Sequence, residues 1–469
     1  MNTQFIKKIL PVVLVPAIIM FFPAPEGLSP MAWKLFAIYV GAILGLVFQP
    51  FPEPVIMLSA VGICGIFLGN IKNALSGYSD LTTWLVFSAV LISVAFVETG
   101  LGKRIAFHLI RMLGRTTLGL GYAGAILDYI LAPGIPSNTA RTAGITFPIL
   151  RSVAVALDSE PGPTARRIGS YLAMLTYATT STTSYAFLTA FAPNLLLVKL
   201  AADILGTPLE WMTWFKAALV PSLIMMVLTP WILYKIYPPE IKTLDNKKVA
   251  KDGLDQMGPM KASEKKLVVF FILAILGWMF GSTLKLNATA IAITVVALCL
   301  VCRVVTWAQI AGDKGAWTTL AWYGGIIGLA NSLAQAGFFK WLAEFFKSQI
   351  DLSSFSQMTV IVILLLLSIV VRYLFASGGA YTLSMIPVFF TIGLAAQVPA
   401  TPLILVMACS LSYASLLTHY GSAPGPVIFG AGYVDQKTWW SIGTFLMFIH
   451  LIVNTVIAFP YWMFLGIWH

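Results

Sequence analysis

Ala132-Pro-Gly-Ile-Pro-Ser-Asn-Thr-Ala-Arg141 interrupts an otherwise apolar run, residues 117–157. A second apolar run, 352–398, is interrupted by Ser377-Gly-Gly-Ala380. Neither run can cross lipid as a plain helix. Pro, Gly and the polar residues free backbone N–H and C=O groups that hydrocarbon cannot satisfy. Each must turn back on itself inside protein, as a re-entrant hairpin. These two stretches therefore set the fold: membrane helices packed around two broken segments.

The composition agrees. Of 469 residues, 59% are hydrophobic and only 10% are charged, against about 25% charged in soluble domains. Mean hydropathy is +0.88. At about 20 residues per span, the chain reads as an all-α polytopic membrane protein with no room for a soluble catalytic domain. Candidate spans fall near 9–23, 31–50, 54–70, 82–98, 166–187, 213–237, 266–283, 287–304, 317–336, 400–417 and 439–467. That makes eleven, besides the two hairpins. The first follows Lys7 and Lys8 and reads as uncleaved, since no small-residue cleavage site follows it.

Basic residues outnumber acidic ones by 29 to 18. In a membrane protein that excess marks cytoplasmic loops, not nucleic-acid binding. Residues 238–266 hold seven Lys and five acidic residues and form the only long polar linker. With Lys103, Arg104, Arg111, Arg115, Arg166 and Arg167, it places the N-terminus inside and the C-terminus outside. Cys299 and Cys302 have CxxC spacing without a second pair, and with Cys64 and Cys409 they read as small apolar side chains. No metal or cofactor is called for.

The two halves look alike. Leu81-Thr-Thr-Trp84 and Trp317-Thr-Thr-Leu320 each open a span. Amphipathic stretches follow, Leu101–Arg115 and Phe338–Gln349, and then the interrupted runs. Last come threonine-bearing turns, Leu188-Thr-Ala-Phe-Ala-Pro-Asn194 and Leu417-Thr-His-Tyr-Gly-Ser-Ala-Pro-Gly425. The spacing predicts scaffold helices over 1–80 and 267–316. It predicts repeats over 81–237 and 317–469, with the linker between them. Span counting puts the amphipathic stretches on opposite sides, so the repeats are inverted, as in secondary transporters.

Paired interruptions at matching positions point to a substrate site, because half-helix N-termini offer free N–H groups and positive charge to anions. Ser137, Asn138 and Thr139 form one candidate set; Ser377, Gly378 and Gly379 form the other. Thr189, Asn194, Thr418 and His419 join them from the turns. Two facing anion sites suit a molecule with a carboxylate at each end. Ionisable residues at membrane depth are functional candidates. Arg141 and His419 are assigned to offset substrate charge, Arg141 with an ion pair to Asp128 as its bland alternative. Arg372 reads as snorkelling from its hairpin. His108 reads as interfacial. His450 and Asn454 read as pairing with each other or a neighbour. HExxH, Walker and nucleophile-elbow motifs are absent, so an enzyme is not expected.

The segments 132–141, 188–194 and 417–422, with Gly430-Ala-Gly-Tyr-Val434, resemble the divalent anion/sodium symporter family. They are closest in pattern to its branch of citrate/succinate antiporters and plastid 2-oxoglutarate/malate translocators. The resemblance covers nearly the whole chain. It implies eleven membrane helices, two re-entrant hairpins, a homodimer among membrane lipids and elevator-type movement. The sodium-coupled members carry Ser-Asn-Thr in both hairpins, whereas Gly378 and Gly379 replace Asn and Thr here. That favours sodium-independent exchange of C4–C5 dicarboxylates such as malate, succinate, fumarate or 2-oxoglutarate across the cytoplasmic membrane. A sodium-coupled symporter for the same substrates is the alternative. A dicarboxylate-sensing receptor and an oxyanion or proton exchanger fit less well. The linker is too short for a signalling domain, and only Asp128 and Glu98 could form an acidic relay.

Overall fold

The computed structural model describes residues 3–349 and 355–468. Residues 352–354, the start of the second interrupted run, lie outside them. The described chain is helical, and its one β-bridge joins Thr116 to Thr243. Among the described residues, six helices are long and apolar enough to cross a membrane, including Pro30–Phe48, Leu81–Thr99 and Trp211–Ile236. Others, such as Glu53–Leu68 and Ala288–Val301, are shorter but apolar.

Both interruptions are present. Thr117–Leu131 ends in a short turn at Ala132–Gly134, and the chain resumes as a π-helix over Thr139–Thr146 that runs into Phe147–Ala156. Pro133 and Pro136 account for the break, since each removes an N–H and fixes φ. In the second half Gln357–Arg372 breaks before Gly378–Ala395, and the Ser377 hydroxyl caps the new helix by accepting from Ala380 N at 3.3 Å.

The threonine turns break two further helices. Gly169–Ala186 gives way to the turn Leu188–Ala190 and then to a new helix, Ala192–Leu205, opened by Pro193. Ala400–Tyr413 passes through Ala414–Leu417 and an irregular stretch into the short helix Gly425–Gly430. The expected span 166–187 is therefore only the first part of a discontinuous helix. Every residue of Gly169–Ala186 is buried. Several of its hydroxyls bond carbonyls of their own helix: Thr176 donates to Leu172 O at 2.7 Å and Thr179 to Leu175 O at 2.9 Å.

The turn at 71–79 lies against the helix Lys314–Gln335 backbone to backbone. A Cβ at Gly328 would fall 1.9 Å from Ala74 O, and one at Gly77 would fall 2.0 Å from Gly324 O. Only glycine permits that approach. At the same place Lys199, on Ala192–Leu205, bonds Asp203 at 2.6 Å and Asn331 Oδ1 at 3.1 Å, with Asp80 at 3.8 Å.

The linker is a folded strap. It contains a helix, Asn246–Met257, which carries no apolar run because the segment is strongly charged. Thr117 N donates to Lys242 O at 3.0 Å and Ile241 N to Arg167 O at 2.9 Å. The Asn246 amide donates to Ile110 O and Arg111 O. Arg104 meets Glu264 in a buried pair, with Nε to Oε2 at 2.5 Å and Nη1 to Gly258 O at 3.0 Å. The amphipathic helix Leu101–Leu113 is thus clamped to the strap on its buried face, while His108 stays exposed.

Candidate functional site

Arg141 comes from the π-turn and is fully buried. Its Nε donates to Asp128 Oδ1 at 3.1 Å. Nη1 donates to Ile135 O at 2.7 Å and Ala190 O at 2.8 Å; Nη2 reaches Asn138 Oδ1 at 3.2 Å and Thr183 Oγ1 at 3.1 Å. Thr183 in turn donates to Asp128 Oδ2. One guanidinium therefore fills a cage of oxygens that joins the hairpin tip to the threonine turn. This is the ion pair held open in the sequence reading. Asp128 neutralises Arg141, so its charge serves the cage first.

The other half repeats the arrangement with one difference. Arg372 is 1% exposed, so it does not snorkel. Nη1 donates to Phe375 O at 2.7 Å, Nη2 to Gly421 O and Nε to Leu411 O at 3.4 Å. The guanidinium carbon stands 5.3 Å from the Tyr381 ring centre. Phe375 lies 240 residues after Ile135, as Ser377 lies 240 after Ser137, and Gly421 lies 231 after Ala190, as Pro424 lies 231 after Pro193. Each arginine ties a tip carbonyl to a turn carbonyl. Yet no carboxylate lies within salt-bridge distance of Arg372 among the described residues. The second cage holds a net positive charge, and the first does not.

The remaining candidates divide. Ser137, Ser377 and Gly379 are half-buried and Thr139 is exposed, so both tips reach an accessible surface. Asn138 is buried with its amide engaged, Nδ2 donating to Ser184 Oγ at 2.8 Å and Oδ1 accepting from Arg141. Thr189 donates to Pro133 O at 2.7 Å and accepts from Trp211 Nε1 at 3.3 Å. Asn194 Nδ2 donates to Ser184 O at 2.7 Å. Asn138 and Thr189 hold the tip to the helix and turn of this half, and Asn194 braces the turn itself, in this conformation. Thr418 is buried, and its carbonyl accepts from Tyr177 OH at 3.0 Å.

His419 contacts two aromatic side chains of its own half. Trp440 Nε1 donates to its Nδ1 at 3.0 Å, and the ring stacks on Phe429 with centroids 4.2 Å apart. Indole is a donor only, so Nδ1 accepts in this arrangement. The buried cation of this half that meets no carboxylate among the described residues is Arg372. His450 is buried beside Thr182, with Nε2 3.4 Å from its hydroxyl, and Asn454 Nδ2 bonds only the His450 carbonyl. Tyr177, Thr180, Thr183 and Ser184 were missed by the sequence reading, because a run of Thr and Ser on a buried helix carries no spacing signal.

Gly378 packs against the first half. A Cβ there would stand 2.6 Å from Cζ of Phe191 and 3.5 Å from Cγ of Pro193. The second tip thus touches the first turn. Gly378→Val should displace Phe191 and abolish uptake in a reconstituted assay while leaving expression intact. Wild-type uptake in that variant would show that the tip and turn need not touch.

Broken helices, a hydroxyl-rich buried centre and two arginine cages are the arrangement expected of a membrane transporter. The comparisons agree. Over residues 2–468 the chain matches the family described as Sodium:sulfate symporter transmembrane region, and it belongs to that family. It is 48% identical to Inner membrane protein YbhI of Escherichia coli (strain K12), covering 100% of both chains. It is 34% identical to the Citrate/succinate antiporter of the same organism, covering 97% of both. Its fold is like that of the Alcanivorax borkumensis YdaH transporter, with a TM-score of 0.56, 12% identity and 98% of both chains covered. The protein is a transporter and not an enzyme.

Proposed function

We propose that this chain exchanges C4–C5 dicarboxylates, one bound at a time, across the bacterial inner membrane without sodium. The observation that carries the proposal is the pair of guanidinium groups in oxygen cages at matching positions of the two halves. In each cage an arginine takes backbone carbonyls that a monovalent cation would need. The Citrate/succinate antiporter relative supports both the substrate class and the exchange.

In this mechanism the substrate carboxylates bind at the half-exposed tips, Ser137–Thr139 and Ser377–Gly379, near the open N–H groups of the helix ends. The uncompensated charge of Arg372 attracts the dianion. An unloaded site carrying that charge crosses the membrane poorly, since an unpaired charge at its centre costs at least about 2.5–3.5 kcal/mol. The dianion offsets the charge, so each crossing requires cargo. We assign the movement to the two hairpins and their threonine-turn helices, riding as one body of a homodimer against 1–80 and 267–316, in an inverted-repeat arrangement.

The test is uptake of labelled succinate into proteoliposomes. Uptake should require internal dicarboxylate and should be unaltered by sodium. Accumulation in empty vesicles driven by a sodium gradient would establish the symporter instead. Orientation follows from the basic strap: Lys248 is exposed and assigned to the cytoplasm, with the N-terminus inside and the C-terminus outside. A Lys248→Cys variant should resist an impermeant thiol reagent in intact cells and react after permeabilisation. Ready labelling of intact cells would reverse the topology.

A further inference from the structure

A groove of about 480 Å³ runs between the first interrupted hairpin and the helix Ala262–Leu284. Pro133, Phe187 and Phe215 line one side; Phe271, Ile275 and Met279 line the other. The lining presents no polar surface. Its rim carries outward-facing apolar side chains: Ile130 is 39% exposed, Leu223 46% and Ile272 49%. Both walls belong to segments too apolar to face water.

A void of this kind does not stay empty without loss, because carbon atoms on its walls forgo their contacts. Water is a poor filling, since a buried water needs two to four polar partners and the lining offers none. In a membrane-spanning chain, exposed apolar side chains such as these meet bilayer hydrocarbon, so hydrocarbon is what the surroundings supply. We propose that this groove is a binding site for one acyl chain of a bilayer phospholipid. The chain lies directly behind the functional centre. Pro133 is on the groove wall, and its carbonyl accepts from Thr189 of the first turn at 2.7 Å. The groove also divides the segment assigned above to movement from the helix Ala262–Leu284, assigned to the scaffold. Resting on that assignment, the lipid acts as a deformable spacer between two bodies that slide.

The test uses the full-length protein in proteoliposomes containing a phospholipid with a mid-chain diazirine. After irradiation, adducts are mapped by mass spectrometry. Adducts should concentrate on Phe271–Met279 and Phe215–Leu223. Two variants fill the groove from opposite walls, Ile275→Trp and Leu219→Trp; either should lose these adducts while keeping its thermal unfolding transition in detergent. No adducts on either segment, or unaltered labelling in both folded variants, would overturn the proposal. So would labelling only by a soluble photoreactive fatty acid. The transport reading is judged separately. Loss of adducts with slowed exchange and retained succinate binding supports the spacer role. Loss of adducts with normal exchange removes that role and leaves the lipid site standing.

Discussion

Arg372→Gln should convert a strict exchanger into a leaky one. Two effects follow from removing the charge. The dianion loses its attraction, so apparent affinity falls. The empty carrier loses its barrier, so unloaded crossing becomes faster. If the barrier is about 2.5–3.5 kcal/mol, its removal corresponds to roughly 60- to 300-fold at about 1.4 kcal/mol per decade. Uptake into vesicles without internal dicarboxylate, nearly absent in the parent, should become measurable. Arg372→Lys should sit between them. An ammonium keeps the charge but lacks the planar fork that reaches Phe375 O and Gly421 O together. Strict exchange with unaltered affinity in Arg372→Gln would place the charge barrier elsewhere. Size-exclusion elution like the parent's would confirm that the variant is folded.

Asp128→Asn should have the largest effect on stability. Asp128 and Arg141 are both fully buried and 3.1 Å apart. Breaking a buried pair by removing one partner costs about 3–5 kcal/mol, because the remaining charge is left uncompensated. The guanidinium would keep its carbonyl acceptors but carry a net charge in the core. Thermal unfolding in detergent should shift sharply downward. Adding Arg141→Gln to Asp128→Asn should recover part of the loss, because the buried charge is then gone. A double variant no more stable than the single one would show that the cage geometry, and not the charge balance, dominates.

The interruptions were legible because Pro, Gly and Ser betray a broken helix locally. The cages were not, because they close between segments far apart in sequence. Arg372 sits at the end of an apolar helix, where outward snorkelling is the ordinary outcome; its acceptor Gly421 O is 49 residues away. The hydrogen bond to His419 comes from Trp440, 21 residues on, and no local pattern announces that contact. The helix Ala192–Leu205 escaped notice because Pro193, Asn194, Lys199 and Asp203 lower its hydropathy, although Lys199 and Asp203 satisfy each other one turn apart. The carbonyls that the two arginines hold stand at the offsets of the tips and of the turns, 240 and 231 residues.

Thr139–Thr146 is wound as a π-helix, which makes chain length itself a constraint. A π-turn holds more residues than the α-turn it replaces, and such turns gather at functional sites. Gly144 has open space around it, with nothing nearer its missing Cβ than Thr139 O at 3.7 Å. Changing what stands there is therefore mild; removing it is not. One residue fewer would let the segment tighten to α-turns of about 3.6 residues, so the residues inside the turn would face in new directions. Arg141 would then lose its aim at Asp128 and Ala190. Related chains can vary the identity of a residue in this turn while a deletion there removes the cage, so gaps in the stretch, more than substitutions, should separate transporters that share this centre from those that do not.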